Sequence, residues 1–235
     1  VLKEEYPDFI QSLVKWSYNA LKNSGSMWLV SGWNNLRVVL DAVEDVGFIQ
    51  LNHCIWKYQF GVYTERRFTT SHYHMILLVK DEECHVFNKP EHYAEDVWNI
   101  KRPYHHGEKT AGNELPDELV ERCIKTSSNK GDLVVDPCLG SGTTMNACLK
   151  TGRRCIGIEI NPSLEVRIKQ KLGLNLFASP PYSLQPQKGP FEKEGNRGSV
   201  EDICLRKTNL DNNAVWVFED CTLWSRGGKF NTRIL

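Results

Sequence analysis

The sequence predicts an α/β protein built on a doubly wound, mostly parallel sheet. Short apolar runs alternate with segments of helical periodicity along the first two thirds of the chain, as in a parallel sheet covered on both faces. From Val134 to Pro162, an apolar run, a Gly-rich turn, a helix-compatible segment and a second apolar run follow one another. In a parallel sheet such a turn lies where ligands bind. The pattern therefore predicts a fold class and the position of a site.

Composition limits the classes of partner. The chain has 235 residues, 40% of them hydrophobic and 25% charged, which is typical of a globular protein with a buried core. Its 29 Lys and Arg residues equal its 29 Asp and Glu residues, so a nucleic-acid partner would have to be bound by local basic patches. The eight cysteines form no C-x-x-C pair and predict reduced thiols in a cytoplasmic protein. The longest apolar run, Met75 to Val79, is too short for a membrane span, so we expect no membrane partner.

The N-terminal elements alternate between helix and strand. Apolar residues at helical spacing predict a helix over Tyr6 to Asn23, and Met27 to Val30 is typical of a buried strand. A second amphipathic helix is predicted over Asn34 to Val46, with Gly47 as its stop, and a strand over Phe48 to Tyr58. This order predicts a βαβ unit in the first quarter of the chain.

The segment from Gly61 to Lys80 leads from polar and aromatic residues into a very apolar strand. Arg66 and Arg67 precede several hydroxyl residues, and guanidinium and hydroxyl groups are the usual donors to phosphates; a solvated hairpin is the alternative. His72 and His74 are expected on one face of the strand. Without thiolates at zinc-finger spacing they are a poor metal signature, so we predict no metal.

Phe87 to Thr110 is polar and aromatic, and we expect it to be irregular. Its Lys101 and Arg102 indicate either a DNA-facing surface or a solvated loop, and the sequence does not separate the two. A helix follows from Leu115 to Ser127, with Pro116 in its first turn, where the missing N–H costs nothing. It leads to a strand at Leu133 to Val135.

The Gly-rich turn has the residues of a nucleoside site. Asp136 ends one strand, and Glu159 ends the next, where a carboxylate can accept hydrogen bonds from both ribose hydroxyls. Gly140 and Gly142 permit a close approach of the backbone to a ligand. Hydroxyls and N–H groups at the start of the following helix come from Ser141, Thr143 and Thr144. The turn matches neither G-x-G-x-x-G nor a phosphate loop, so a dinucleotide dehydrogenase is a poor second hypothesis.

Two motifs, at 136–144 and 152–162, resemble the S-adenosylmethionine site of bacterial and archaeal DNA amino-methyltransferases. The resemblance implies a Rossmann-like methyltransferase fold with a small DNA-recognition elaboration, S-adenosyl-L-methionine as cofactor and double-stranded DNA as partner. Cys138 departs from the family pattern, because Phe is commoner there. The implied cofactor-binding residues are Asp136, Pro137, Cys138, Gly140, Ser141, Gly142, Thr143, Thr144, Glu159 and Asn161, with Asn113 from the segment that precedes the turn.

A third motif, Ser179-Pro180-Pro181-Tyr182, follows an apolar segment. The two prolines fix the backbone, so a carbonyl and the Ser179 hydroxyl can accept hydrogen bonds from one exocyclic amine, and Tyr182 offers a stacking face to a flipped base. Taken alone, Pro-Pro after a strand is also an ordinary turn. In the family this tetrapeptide is catalytic, and its serine form is commoner in cytosine-N4 than in adenine-N6 enzymes.

The resemblance implies a site-specific methyltransferase acting on cytosine N4, within a restriction-modification system that includes a cognate restriction endonuclease. Adenine N6 methylation, a catalytically weakened nucleic-acid-binding relative, and methylation of RNA or a protein amide are the alternatives. We expect a catalytic domain over 1–182, with a recognition insertion near 60–110 that includes Arg66, Arg67, Lys101 and Arg102, and a loop-rich elaboration over 183–235. The catalytic motif follows the cofactor motif, the reverse of the common family order, which resembles a circular permutation. The junction from Leu172 to Leu174 is too short for the usual extra strand and helix, so either the fold is trimmed there or residues are absent.

Overall fold

The computed structural model describes residues 4–59, 61, 63–103 and 114–174, together with the backbone of three later strands. The helices are α1 (Tyr6–Ala20), α2 (Leu36–Val46), α3 (Asp117–Ser127), α4 (Thr143–Thr151) and α5 (Glu165–Lys171), with a 3-10 turn at Pro162–Leu164 before α5. The strands are β1 (Ser26–Ser31), β2 (Ile49–Lys57), β3 (His72–Val79), β4 (Val97–Asn99), β5 (Leu133–Asp136), β6 (Arg154–Glu159), β7 (Ile203–Leu210), β8 (Asn213–Asp220) and β9 (Thr232–Ile234).

The first sheet has the strand order β1-β3-β2-β4. Strand β3 lies between β1 and β2 and is antiparallel to both, so β1 and β2 run in the same direction, with α2 as the crossover between them. Strand β4 adds to the outer edge, parallel to β2. The central strand of this sheet is thus reversed, a feature that the alternation of helix and strand did not indicate.

The second sheet has the order β7-β8-β6-β5-β9. Strands β5 and β6 are adjacent and parallel, with α4 as their crossover, and β9 is parallel to β5 on the other side. Strand β8 is antiparallel to β6. Because β9 also passes within 8 Å of β1, the two sheets meet there.

Helices cover both faces of this sheet system, as the predicted doubly wound fold requires. On β3, Ile76 and Leu78 pack with α1 and α2, whereas Met75 and Leu77 pack with α3 and the aromatic side chains of β2 and β4. A strand buried on both faces needs apolar residues at every position, which explains the uninterrupted run from Met75 to Val79. Burial of each such side chain contributes roughly 1.5–3 kcal/mol. The predicted α/β, Rossmann-like fold class is confirmed.

A separate apolar cluster supports the Gly-rich turn. It contains Val134 of β5, Leu139 of the turn, Cys148 of α4 and Ile168 of α5, all nearly inaccessible to solvent. The turn therefore has a packed base formed by one strand and two helices.

Three strands lie in the segment for which the sequence predicted a loop-rich elaboration, residues 183–235, and two of them pair directly with the strands of the site. The division of the chain at residue 182 itself stays a prediction. Strand β4 falls in a segment expected to be irregular; its Trp98 is buried and donates from Nε1 to the Glu95 carbonyl. Within the described ranges, no helix is long and apolar enough to cross a membrane.

Candidate cofactor-binding site

Two carboxylates lie at the carboxyl ends of neighbouring parallel strands. Asp136 is the last residue of β5 and Glu159 the last residue of β6, and the register pairs Asp136 with Gly157. Parallel strands end at the same edge of a sheet, where ligands bind in open α/β folds. The acidic groups that the sequence predicted at strand ends are therefore brought to one edge.

Glu159 holds the Gly-rich turn in place. Gly140 N donates to Glu159 Oε2 at 2.7 Å, and Asn161 N donates to Glu159 Oε1 at 2.8 Å. The residue is 9% exposed, so these charge-assisted bonds lie in a largely dry environment. A carboxylate has about four acceptor positions. Each oxygen thus keeps acceptor capacity for one further donor, which suits a pair of neighbouring hydroxyls.

The turn is also fixed to β6 by packing. Leu139 N donates to the Ile158 carbonyl at 2.9 Å, and the buried Leu139 side chain covers Gly157. A Cβ atom at Gly157 would lie 2.6 Å from Leu139 Cδ2, so only glycine leaves room for this contact. Gly140 and Gly142 have φ angles of 58° and 86°, the left-handed region that favours glycine. Backbone conformation thus favours glycine at two positions of the turn, and the contact with Leu139 favours glycine at position 157 of β6.

Helix α4 begins at the turn with two buried threonines. The Thr144 side chain hydrogen-bonds with Asp136, and Cys138 N donates to Asp136 Oδ1 at 2.9 Å. Burial raises the pKa of Asp136, and the nearby charge of Glu159 raises it further, although the two hydrogen bonds act in the opposite direction. Two carboxylates that converge on this edge favour a positively charged ligand.

Cys138 lies on the Gly-rich turn and is exposed to solvent. Partial desolvation and the neighbouring carboxylates of Asp136 and Glu159 raise its pKa to about 11. At neutral pH the thiol stays protonated and is a poor nucleophile. Cys138 is thus part of the turn and does not have the properties of an attacking group.

The structure brings most of the predicted cofactor residues together around one turn. The residues placed there are Asp136, Pro137, Cys138, Gly140, Ser141, Gly142, Thr143, Thr144, Glu159 and Asn161. The Asn161 side chain accepts from Ser163 N at 3.1 Å and from Ser163 Oγ at 2.8 Å, so it caps the 3-10 turn and contributes to the site mainly through its backbone N–H. Asn113 and the catalytic motif from Ser179 to Tyr182 lie outside the described residues, and their predicted roles stay predictions.

Two features of the site were missed by sequence reasoning. Ile160, directly after Glu159, is 63% exposed and so places an accessible apolar side chain beside the buried carboxylate. An apolar residue after a strand-ending acid was the available signal. A charged cluster beside Thr143, formed by Glu114, Arg167 and Lys171, had no local signal, because Glu114 lies more than 50 residues from its two partners along the chain.

The four predicted DNA-binding residues, Arg66, Arg67, Lys101 and Arg102, which we call the basic rim, lie on two segments at one end of the first sheet. Tyr58 N donates to the Ser71 carbonyl at 2.9 Å, and Ile100 N to the Lys57 carbonyl at 3.2 Å. Gln59 links the segments, because its Oε1 accepts from Arg102 N at 3.0 Å. The guanidinium of Arg102 lies 5.5 Å from the ring centroid of Tyr58.

Exposed aromatic rings accompany the basic rim. Phe68 is 99% exposed and Tyr63 is 79% exposed, in the same loop as Arg66 and Arg67. Cations beside exposed rings are the combination that binds nucleic acids by phosphate contact and base stacking. The sequence of this loop predicted phosphate contacts, and the stacking surface of the two rings is evident only from their exposure.

His74 of β3 lies 2.8 Å from His53 of β2, measured from Nδ1 to Nε2, and its ring also contacts His72. Burial lowers the pKa of His74, and the two neighbouring imidazoles lower it further. Over the part of the chain that the structure describes, no group of three or more His, Cys, Asp and Glu residues has an arrangement that would hold a metal ion.

A doubly wound sheet with a glycine-lined turn, and with a carboxylate at the end of each of two adjacent parallel strands, is typical of nucleoside-cofactor-binding α/β proteins. Comparison with known proteins narrows this class, because a family model described as DNA methylase matches residues 2–170. The chain belongs to this DNA methylase family, which confirms the predicted resemblance to the DNA amino-methyltransferases. The predicted circular permutation is not tested by this match and stays a prediction.

Curated relatives lie at moderate identity. Type II methyltransferase M.HpaI of Haemophilus parainfluenzae is 26% identical over 92% of this chain and 73% of its own length. DNA adenine methyltransferase YhdJ of Escherichia coli is 27% identical, over 66% of this chain and 62% of its own length. Type II methyltransferase M2.DpnII of Streptococcus pneumoniae is 30% identical, over 66% of this chain and 63% of its own length. The chain thus spans less than two thirds of the length of the latter two.

Solved structures share the fold. The M1.HpyAVI–SAM complex has a TM-score of 0.61 at 26% identity, covering 70% of this chain and 82% of that one. PvuII DNA methyltransferase (cytosine-N4-specific) has a TM-score of 0.63 at 19% identity, covering 75% and 73%, and shows likeness of fold alone. These findings agree with S-adenosylmethionine as the cofactor of the family.

Proposed function

We propose that this DNA methylase uses S-adenosyl-L-methionine to methylate an exocyclic amine in double-stranded DNA, and that the amine is N4 of cytosine. The proposal rests on the hydrogen bonds of Glu159, at the end of β6. One oxygen of Glu159 accepts from Gly140 N and the other from Asn161 N, and each oxygen can accept one further hydrogen bond from a ligand. The solved structure of the M1.HpyAVI–SAM complex, which is 26% identical to this chain, supports S-adenosylmethionine as the cofactor. The serine of Ser179-Pro180-Pro181-Tyr182 supports cytosine as the target.

The residues present fit this cofactor. The ribose hydroxyls would donate to Glu159, and the exposed Ile160 side chain would cover a face of the adenine, where apolar contact excludes water. The converging carboxylates Asp136 and Glu159 suit a ligand whose sulfonium and ammonium groups are cationic. N–H groups at the start of α4 suit its carboxylate. When bound, the cofactor supplies an electrophilic methyl group on sulfur.

The remaining chemistry is positioning. In the proposed mechanism, the Ser179 hydroxyl and a carbonyl near Pro180 accept hydrogen bonds from the target amine, and Tyr182 stacks on the flipped base. Held in this way, the amine would accept the methyl group that the cofactor would supply, with the thioether as the leaving group, and its proton would pass to solvent. Because the departing thioether is neutral, no general acid is required, and alignment of the reacting atoms accounts for most of the acceleration.

Adenine N6 is the second candidate. The relative from Escherichia coli is named a DNA adenine methyltransferase and is 27% identical to this chain, similar to the identity of the other curated relatives. Both targets present an exocyclic amine, and the proposed geometry accepts either. The cognate restriction endonuclease and the cytoplasmic location stay predictions.

Identification of the modified base tests the proposal. The protein is incubated with methyl-labelled S-adenosylmethionine and duplex DNA of mixed sequence, and the DNA is hydrolysed to nucleosides for chromatography and mass spectrometry. We expect N4-methylcytosine. N6-methyladenine would replace the first candidate by the second, whereas no transfer despite cofactor binding would identify a catalytically weakened relative. Parallel reactions with RNA and with protein test the remaining substrate classes.

A further inference from the structure

A buried ionic cluster ties three helices together directly beside the cofactor turn. Glu114, which precedes α3, pairs with Arg167 at 2.7 Å and with Lys171, the last residue of α5. The Glu114 side chain is 9% exposed and that of Lys171 is 17% exposed. Such a cluster costs desolvation and is weak evidence for stability by itself. Its position therefore suggests a role other than general stabilisation.

Lys171 connects this cluster to the cofactor turn. Its Nζ donates to Thr143 Oγ1 at 2.7 Å, and Thr143 is the first residue of α4. The same ammonium donates to Glu114 and lies 3.8 Å from Asp117 Oδ1. Because an ammonium has three donors, those of Lys171 are directed at groups of this chain. The geometry favours an action on the cofactor through Thr143, without direct contact.

Packing couples the same two helices. Ile168 of α5 is 1% exposed, and a Cβ atom at Gly142 would lie 3.3 Å from Ile168 Cγ2. Helix α5 thus covers the turn from one side, while Lys171 holds the first hydroxyl of α4. Helix α5 follows β6 and Asn161 through the short 3-10 turn. Both lie on the side of the site that contains Glu159, since Glu159 ends β6 and accepts a hydrogen bond from Asn161 N.

We infer that Lys171 is a positioning residue, which fixes the start of α4 through Thr143 and so sets the affinity of the turn for S-adenosylmethionine. The inference rests on the proposed function. Helix α5 then links both sides of the cofactor site. Glu159, at the end of β6 and before α5, would supply the carboxylate for the ribose, and Lys171, at the end of α5, orients the N-terminus of α4. The carboxylate of Glu114 offsets the positive charge of the Lys171 ammonium. Without it, that charge would be uncompensated at the N-terminus of α4, where the helix dipole disfavours cations.

The chain offers a matched pair of variants. Lys171→Met keeps the length of the side chain and removes the ammonium, while Glu114 retains Arg167 as its partner, so no buried charge is left unpaired. Lys169→Met is the control, because Lys169 lies on the same helix and pairs with Glu165 at 2.7 Å, within α5. A second pair, Thr143→Val and Thr143→Ser, removes or keeps the hydroxyl that Lys171 contacts.

The measurement is the dissociation constant of S-adenosylmethionine by titration calorimetry, with amide hydrogen exchange of residues 139–144 as a ligand-free readout. We expect Lys171→Met and Thr143→Val to raise the dissociation constant about 5- to 20-fold, which is part of the roughly 10- to 150-fold contribution of a hydrogen bond to a charged group, because the effect reaches the cofactor only through the position of α4. We expect faster exchange at the first turn of α4 in both variants. Lys169→Met should stay within about twofold of the wild type, Thr143→Ser, which keeps the hydroxyl, should bind more tightly than Thr143→Val, and the Lys171→Met/Thr143→Val double variant should be no worse than the weaker-binding single variant.

The outcomes separate this inference from the proposed function. Unchanged affinity in Lys171→Met, with normal binding by the wild type, would overturn the positioning role and leave the proposed function standing; so would faster exchange without loss of affinity. Strict additivity of the two single variants would show that Lys171 does not act through Thr143. A wild-type protein that does not bind S-adenosylmethionine would instead overturn the proposed function and the inference with it.

Discussion

At the scale of a single residue, Glu159 combines an observed role with a proposed one. Its carboxylate accepts the backbone N–H groups of Gly140 and Asn161, and we propose that it also accepts the ribose hydroxyls of the cofactor. Because both backbone partners are donors, an amide at this position would bring its own NH₂ group against one of them. Glutamine is therefore a poor replacement, even though its shape is almost the same.

We expect Glu159→Ala and Glu159→Gln to raise the dissociation constant of S-adenosylmethionine at least about tenfold, since each loses a charge-assisted hydrogen bond. Ser179→Ala should lower kcat and leave that dissociation constant within about twofold, because Ser179 is assigned to the target amine. Calorimetric titration and single-turnover methylation assays measure the two quantities separately. Equal loss of cofactor binding in both groups of variants would contradict this division of roles.

Glu114 gives a pH dependence of known sign. Burial alone raises the pKa of Glu114, but its hydrogen bonds and ion pairs with Lys171 and Arg167 outweigh burial and lower it below the usual 4.5. A depressed pKa contributes stability that is present above pH 4.5 and is lost as the pH falls through the folded-state pKa. The raised pKa of Asp136 acts with the opposite sign, since its contribution is lost as the pH rises.

The difference between the wild type and Glu114→Gln isolates the first contribution. Urea unfolding at a series of pH values should show the wild type losing its advantage over Glu114→Gln as the pH falls below 4.5, while the difference stays constant between pH 6 and about 8. The same advantage at every pH would mean that the Glu114 carboxylate is not held in its charged form by the cluster.

At the scale of elements, periodicity predicted most of the segments, because their apolar faces are set by local sequence. Helix α2 was predicted over Asn34 to Val46 and spans Leu36–Val46, and the strand predicted over Phe48 to Tyr58 spans Ile49–Lys57. Strand β4 has three residues, too few for a period, and only the buried Trp98 marks it. Pairing partners were out of reach for a different reason, since periodicity shows which face is buried and not which strand lies beside it.

The packing of the turn between β5 and α4 against β6 can be tested at Gly157 of β6, which Leu139 of the turn covers. Gly157→Ala should destabilise the protein by roughly 1–3 kcal/mol and weaken S-adenosylmethionine binding, because the new methyl group displaces Leu139 and with it the turn. Gly47→Ala is the control. Gly47 has a φ of 90° with open space around its Cβ position, so alanine should cost about 1 kcal/mol in strain and leave binding unchanged.

Thermal unfolding and calorimetric titration measure both effects of the glycine variants. A Gly157→Ala/Leu139→Ala double variant relieves the steric clash and should recover part of the lost binding. Binding that is equally weak in Gly47→Ala would show that the loss follows from general destabilisation and not from displacement of the turn.

At the scale of the whole molecule, the features that sequence reasoning missed are long-range ones. Leu29 pairs with Ile76 across β1 and β3, and Glu114 meets Lys171 although 57 residues separate them. The residues of the turn itself were predictable, since the turn is continuous in sequence and its chemistry depends on local glycine, hydroxyl and carboxylate groups. The supports of the turn come from remote segments, and only the folded chain brings them together.

Charge distribution is also a property of the whole molecule. With a formal net charge of zero, the chain has no overall field that would attract DNA, so electrostatic attraction must come from local surfaces. The basic rim joins two segments at one end of the first sheet, next to the exposed rings of Tyr63 and Phe68. If this surface binds the phosphate backbone, its removal changes the salt dependence of binding and not only its strength.

We therefore expect Arg66→Ala/Arg67→Ala to weaken binding to duplex DNA of any sequence and to reduce the slope of log K against log salt concentration by about 2, since each phosphate contact contributes about 0.9. Arg37→Ala is the control, because the Arg37 side chain is 93% exposed on α2 and its ion pair with Asp41, one helical turn away at 3.7 Å, is weak. Fluorescence anisotropy over a range of salt concentrations measures the slope for each protein. An unchanged slope in the double variant would remove Arg66 and Arg67 from the DNA interface, and an equal change in Arg37→Ala would show that the attraction is diffuse.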